Sequence, residues 1–266
     1  MNDSIFSGLP PTPPAMGAGS ASANTAITRR IDAIVDHVAR HWLVIVLVGM
    51  GLFVTLPFLA PVAMAAGWIW LGKLIYTMYI PFCHQLPQRS WFLFGEKLTY
   101  TLDEINRVYP SINPWHLRFF YGSPEMGWKV AWSDRMISFY GMIPVYGALY
   151  AWLRKWRGRP LPSIPLWVLI ALLVPLALDG GTHWLSDLLY GVSGGGFRDT
   201  NAWLAALTGH AWPGFYAGDH FGTFNWWMRL ITGGLGAWGI TFFGLPWVDR
   251  LMNVGVDHQS NHMCYV

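Results

Sequence analysis

Three short polar strings interrupt an otherwise apolar chain, and they contain most of its chemically versatile side chains: Cys83-His84-Gln85, Ser133-Asp134-Arg135, and Asp179 followed by His183. Arg229 is a fourth, isolated charge inside an apolar run. Guanidinium groups bind carboxylate or phosphate through a two-pronged fork, so Arg135 and Arg229 are candidates to hold an anion, with Asp179 orienting one of them. The structural alternative is that Asp179 latches helix ends together by pairing with either arginine. Residue types alone leave both readings open.

Histidine is a common metal ligand, and His84, His116, His183, His210 and His220 fall between or beside the apolar runs. None forms an HExxH or His-x3-His pattern, so no metal site is assigned, and His84 and His183 are retained as members of the polar group because each adjoins a helix end. Cys83 and Cys264 are far apart and lack CxxC spacing, which gives neither a disulfide framework nor a thiolate metal site. The run GVSGGGFRDT at 191–200 lacks the preceding strand and following helix of a phosphate-binding loop and reads as a flexible loop. No cofactor motif is found, and the cofactor is unknown.

The elements that must position these residues are membrane helices. Apolar residues make up 53% and charged residues 12% of the chain, with 17 tryptophans, a composition whose excess must face lipid. The fold class expected is an all-α integral membrane protein. Apolar runs at 42–65, 136–153, 164–178 and 226–247 give four transmembrane helices. The run 67–82 is short, contains Lys73 and stops at Pro81, so it reads as an interfacial or re-entrant helix. The connector RKWRGR carries Arg154, Lys155, Arg157 and Arg159, and Arg29, Arg30 and Arg40 precede the first run. Placing both basic clusters in the cytoplasm requires four crossings with both termini inside, which makes 83–134 and 180–224 two sizeable outer loops. On this reading every polar string gathers at the outer membrane depth, where ionisable groups face the bundle interior.

Domain organisation follows: a flexible tail over 1–28 rich in Pro, Gly, Ala and Ser, a single membrane helical domain over 29–252, and a C-terminal tail over 253–266. Within the outer loops, 102–109 is expected to form a helical turn between Thr101 and Pro110, and Asn201 to cap a short helix carrying Trp203, Leu204 and Leu207. LITGGLGAWG in the last span sets Gly233, Gly234, Gly236 and Gly239 for close helix packing.

YIPFCHQLPQRSWFLFG, GWKVAWSDRMISFYG, PLALDGGTHW and FNWWMRLITG occur in that order, and together they resemble four blocks of a family of small prokaryotic polytopic membrane proteins of unknown function. The resemblance spans about residues 60–247. It implies that the characteristic positions are Cys83, His84, Gln85, Arg89, Arg135, Tyr140, Asp179, Gly180, Thr182, Asn225, Arg229, Thr232 and Gly233. Where relatives carry cysteine before the arginine this chain has Ser133, and Met136 replaces another, which argues against thiolate chemistry. The family supplies no activity to import.

With no nucleophile and base pair, redox motif or transporter repeat, the functional expectation is an accessory or assembly subunit of a larger inner-membrane complex, of electron-transfer or photosynthetic kind among the candidates. The alternative is a binding protein, transporter or enzyme for an anionic substrate at the outer polar cluster. Expected partners are the lipid bilayer and other membrane subunits. The small net charge of +3 forms no patch dense enough for nucleic acid.

Overall fold

The apolar runs become helices because their backbone groups have no water to bond in lipid and must satisfy one another. The computed structural model describes residues 18–111, 114–192 and 194–263, with side chains over 27–111, 115–192 and 194–252. Its elements in chain order are α1 (Ala18–Ala65), α2 (Ile69–Tyr79), β1 (Ser90–Leu93), α3 (Leu102–Val108), β2 (Gly122–Ser123), β3 (Gly127–Ser133), α4 (Asp134–Arg157), α5 (Leu166–Tyr190), α6 (Phe197–Thr200), α7 (Ala202–Leu207) and α8 (Phe224–Met263). Three of them, α1 from Ile27, α4 and α5, are long and apolar enough to cross a membrane. The chain is thus mostly helical and has the build of a multi-pass membrane protein. Glycine, threonine and tryptophan dilute the hydropathy of α8, whose apolar run is otherwise of spanning length.

Contacts group Leu43–Met252 as one compact unit, and the helical residues on either side group separately. In that second unit Arg40 pairs with Asp36 and the His37 and His41 rings stack at 4.4 Å, both at helical i, i+4 spacing. Helix covers 18–28 and 253–263, which the sequence reading had placed in tails. The remainder of those tails, 1–17 and 264–266, lies outside the described residues.

Inside the compact unit, α4 starts, α5 ends and α8 starts at the same end of the bundle, as the ion pairs described below require. Glycines allow these helices to approach closely. A Cβ at Gly233 would lie 2.9 Å from Ser138 Oγ and 3.1 Å from the Phe139 amide nitrogen, and one at Gly236 would lie 2.8 Å from Leu176 Cδ2. The packing expectation for the glycine run is met. At the other end Asp249, fully buried, accepts a 2.8 Å bond from the Tyr150 hydroxyl and lies 2.9 Å from Arg154, joining α8 to α4.

Within this all-α framework the loop over 83–134 carries a small sheet. It holds a three-stranded antiparallel sheet in the order β1-β3-β2, with Ser90 opposite Ser133 and Gly122 opposite Trp128. GWKVAWS, which the sequence places within the outer loop, has the aromatic content of a strand and pairs as one. Val130, Ala131 and Trp132 of β3 join the main core of Ala60, Met64, Ile75, Tyr76, Tyr79 and Cys83, where the end of α1 meets α2. A second core of Phe92, Tyr100, Ile105, Leu117, Phe120 and Met126 lies beneath α3.

Helix α3 forms where expected, because Thr101 and Glu104 make a reciprocal capping box. Helix α7 forms too, but Asn201 does not cap it through its side chain. The Asn201 amide instead donates to the carbonyls of Arg198 and Tyr216 and to Asn225 Oδ1, at 2.7, 2.8 and 3.0 Å. The glycine-rich run also departs from a plain loop: its second half is α6, whose start is fixed by the Gly196 amide donating to Asp199 Oδ2 at 3.0 Å.

Candidate functional site

Four arginines and five aspartates meet at the end of the bundle where α4 and α8 begin. Arg89, carried on a single 3-10 turn (Pro87–Arg89) just before β1, forks onto Asp187 of α5 at 2.6 and 2.9 Å and donates its Nε to Asp219 Oδ2 at 2.7 Å. Arg229 of α8 donates to Asp219 Oδ1 at 2.6 Å and to the Asp219 carbonyl at 2.7 Å. Its Nε lies 2.8 Å from Asp134 Oδ1, an ion contact rather than an aligned hydrogen bond. Every nitrogen of these two guanidinium groups therefore faces an oxygen of the protein itself.

Asp179 is the second hub. It accepts from Arg135 Nη2 at 2.8 Å and from Arg198 Nη2 at 2.6 Å. His183, one helical turn on, sets Nδ1 3.2 Å from the Asp179 carbonyl and keeps its ring nitrogens 3.7 Å from the Asp179 carboxylate and 3.6 Å from that of Asp219, between the two hubs. Arg135 and Arg198 each retain a buried Nε–H with no partner. Asp179, His183 and Asp187 recur every four residues, so one face of α5 presents all three to the network.

The electrostatics follow from burial. Asp219 is driven upward by desolvation, but Arg89 and Arg229 outweigh it and hold the carboxyl well below its ordinary range. Burial works against the Arg89 charge, and Asp219 and Asp187 more than offset it. Asp199 has the opposite balance: burial and the neighbouring Asp219 raise it, and Arg89 lies 3.6 Å away. Arg198 is pushed down by burial.

The CHQ string sits beside this network and serves the backbone. Cys83 Sγ accepts amide hydrogens from Ser133 at 3.2 Å and Gln85 at 3.4 Å, and burial raises its thiol. His84 Nδ1 accepts the Leu86 amide at 3.0 Å, and burial with the nearby Arg89, Arg135 and Arg229 keeps it far below its usual range. The imidazole is a neutral Nε2–H tautomer. Gln85 adopts a left-handed φ of 55°, its side chain donating to the Tyr76 carbonyl at 2.8 Å.

The Gln85 carbonyl accepts from Lys129, a residue the sequence reading passed over. Lys129 is wholly buried in β3, where Nζ donates to the carbonyls of Gln85 at 2.7 Å and Arg118 at 2.5 Å and lies 5.5 Å from the Tyr121 ring centre. Burial lowers its ammonium to about 7.

Of the residues singled out from sequence, Arg89, Arg135, Asp179, His183 and Arg229 enter the network directly. Asn225 braces it: its amide donates to the carbonyls of Arg198 at 2.6 Å and Gly218 at 3.1 Å, tying both loop segments to the start of α8. Thr182 bonds back to the Leu178 carbonyl of its own helix at 2.6 Å. Tyr140 packs edge-on to Phe53 and against Trp132 in the aromatic core rather than against the charges. Asp187, Arg198, Asp199 and Asp219 were missed. The four-residue spacing could have revealed Asp187, but the other three lie on loop segments with no period to read.

The chain is similar to an uncharacterized protein of Methanocaldococcus jannaschii, 26% identical over 149 residues that cover 54% of this chain and 74% of the relative. No family model and no solved structure matches the chain.

Proposed function

We propose that this chain is a four-span inner-membrane protein acting as an accessory or assembly subunit of a larger membrane complex, with the arginine and aspartate network as the latch that fixes its outer end. The observation that carries the reading is that every guanidinium nitrogen of Arg89 and Arg229 lies against an oxygen of the chain's own aspartates, which leaves neither fork open to a substrate anion. Exposed tryptophans on α2, α4 and α5, among them Trp70, Trp156 and Trp167, supply lateral surface for lipid or neighbouring helices.

In this reading the fourth span is the apolar run of α8. Helix α2, with 11 residues and a length of roughly 16 Å, falls far short of a hydrocarbon core and stays in the outer leaflet. An even number of crossings leaves both termini on one side, and the basic connector at 154–159 assigns that side to the cytoplasm.

The rival reading, an anionic substrate held by Arg135 and Arg229, draws support from the unpartnered Nε of Arg135, whereas the Arg229 Nε lies 2.8 Å from Asp134. Two measurements separate the readings. Mild detergent extraction after crosslinking in native membranes should recover the tagged chain in an assembly larger than itself, identifiable by mass spectrometry, and recovery solely as a free chain overturns the proposal. Arg229→Gln should fail to accumulate if it is a latch, whereas normal accumulation with loss of function supports the substrate reading.

A further inference from the structure

At the end of the bundle opposite the latch the charge balance reverses. From Arg135 to Leu178 and from His220 to Met252 the single carboxylate is Asp249, and it is fully buried between the Tyr150 hydroxyl at 2.8 Å and Arg154 at 2.9 Å. Arg154 is thereby engaged with α8. Lys155, Arg157 and Arg159 follow it in the chain and Arg250 follows Asp249, all four exposed, and among the described residues none of them has an ion-pair partner.

These cations stand on a braced support. Helix α4 stops at Arg157, where Gly158 takes a left-handed φ of 65°, and Pro160, Pro162 and Pro165 restrict the chain that returns to α5. That return is tied to α8: Ser163 Oγ donates to the Phe243 carbonyl at 2.8 Å and the Ile164 amide to the Phe242 carbonyl at 3.3 Å. A basic string on a free loop loses entropy when it meets an anion, whereas folding has already ordered this one.

The neighbouring side chains decide which anion fits. Trp152 and Trp156, one helical turn apart on α4, are 61% and 76% exposed, with ring planes 6° apart and centres at 6.4 Å. Trp167, in the first turn of α5, is exposed at the same end. Exposed indoles at the ends of membrane helices sit at the boundary between headgroups and hydrocarbon. Cations beside them stand at the depth of the phosphodiester groups, which a soluble acidic segment would have to displace.

We propose that Lys155, Arg157 and Arg159, with Trp156 among them, form a binding surface for anionic phospholipid in the leaflet opposite the latch, their N–H groups donating to phosphodiester oxygens and the indole lying along the upper acyl chain. The inference rests on the spanning arrangement proposed above and adds a chemical preference to it. A zwitterionic headgroup carries its own cation, which the unbalanced basic surface repels, whereas a headgroup of net negative charge leaves its phosphate free to pair.

The test purifies the full chain in a non-ionic detergent containing equal amounts of phosphatidylglycerol and phosphatidylcholine, washes it by gel filtration, and counts the retained lipids per chain by mass spectrometry. At low salt the retained phosphatidylglycerol should exceed phosphatidylcholine by about a hundredfold, and most of that excess should vanish in high salt. Lys155→Gln, Arg157→Gln and Arg159→Gln should each lower the excess about fivefold, and the triple variant should bring the two lipids close to parity. Arg154 is left in place, because removing it would strand Asp249. Lys73→Gln, which removes an exposed cation from α2, should leave the excess unchanged. Equal retention of both lipids by the wild type, an undiminished excess in the triple variant, or an equal loss in Lys73→Gln overturns the assignment. Equal retention together with saturable binding of a polyglutamate peptide overturns it in favour of an acidic protein. The measurement needs no partner subunit, so its failure leaves the assembly proposal standing, and recovery of the chain free of any assembly leaves this one standing.

Discussion

Replacing Arg89 with methionine tests the latch most directly. The side chain is 4% exposed and holds two buried aspartates at once, Asp187 through a fork at 2.6 and 2.9 Å and Asp219 at 2.7 Å. Methionine fills much of the same volume but leaves both carboxylates without that counter-charge. Removing one partner of a buried pair costs roughly 3–5 kcal/mol, and with two acids stranded the upper half of that range is expected. At about 1.4 kcal/mol per factor of ten, the folded-to-unfolded ratio falls by roughly 700-fold to a few thousandfold. The assay is reversible unfolding in mixed micelles by increasing dodecyl sulfate, followed by the fluorescence of the 17 tryptophans.

Two further variants sharpen the result. Arg89→Lys keeps the charge but not the fork, so it should fall between the wild type and Arg89→Met. Lys97→Met, which breaks the exposed pair with Glu104, should leave the midpoint where it was. Arg89→Met unfolding within about 1 kcal/mol of the wild type would refute the reasoning, because a loss that small is typical of a surface ion pair. An equal loss in Lys97→Met would refute it as well.

Lys129 gives a pH signature. Its ammonium sits at about 7 in the fold against 10.5 for the free side chain, so between those values the unfolded chain holds the extra proton and stability rises with pH. The slope approaches about 1.4 kcal/mol per pH unit, and unfolding midpoints measured from pH 7 to 10 should lose this rise in Lys129→Met. In the helix packing, Gly233→Val should prevent α8 from seating on α4, because even a Cβ there meets Ser138 Oγ at 2.9 Å. Loss of the wild-type elution peak in size-exclusion chromatography, with Gly244→Val behaving as wild type because nothing lies within 4 Å of its Cβ position, checks this expectation.

The sequence by itself determined what is local. Apolar runs of spanning length became α1, α4 and α5, and Thr101 with Glu104 capped α3. Those signals are legible because helical periodicity and desolvation act on neighbouring residues whatever the rest of the chain does.

Only the tertiary structure decided the remainder. The partners of Arg89 come from Asp187, 98 residues on, and Asp219, 130 residues on, and Arg198 reaches Asp179 from a glycine-rich segment with no pattern of its own. Lys129 is buried because β3 pairs with β1 across a loop that composition alone leaves shapeless. Which charges pair depends on distances between segments that only packing sets. An ion pair leaves no periodic trace along the chain when its two members stand on different elements.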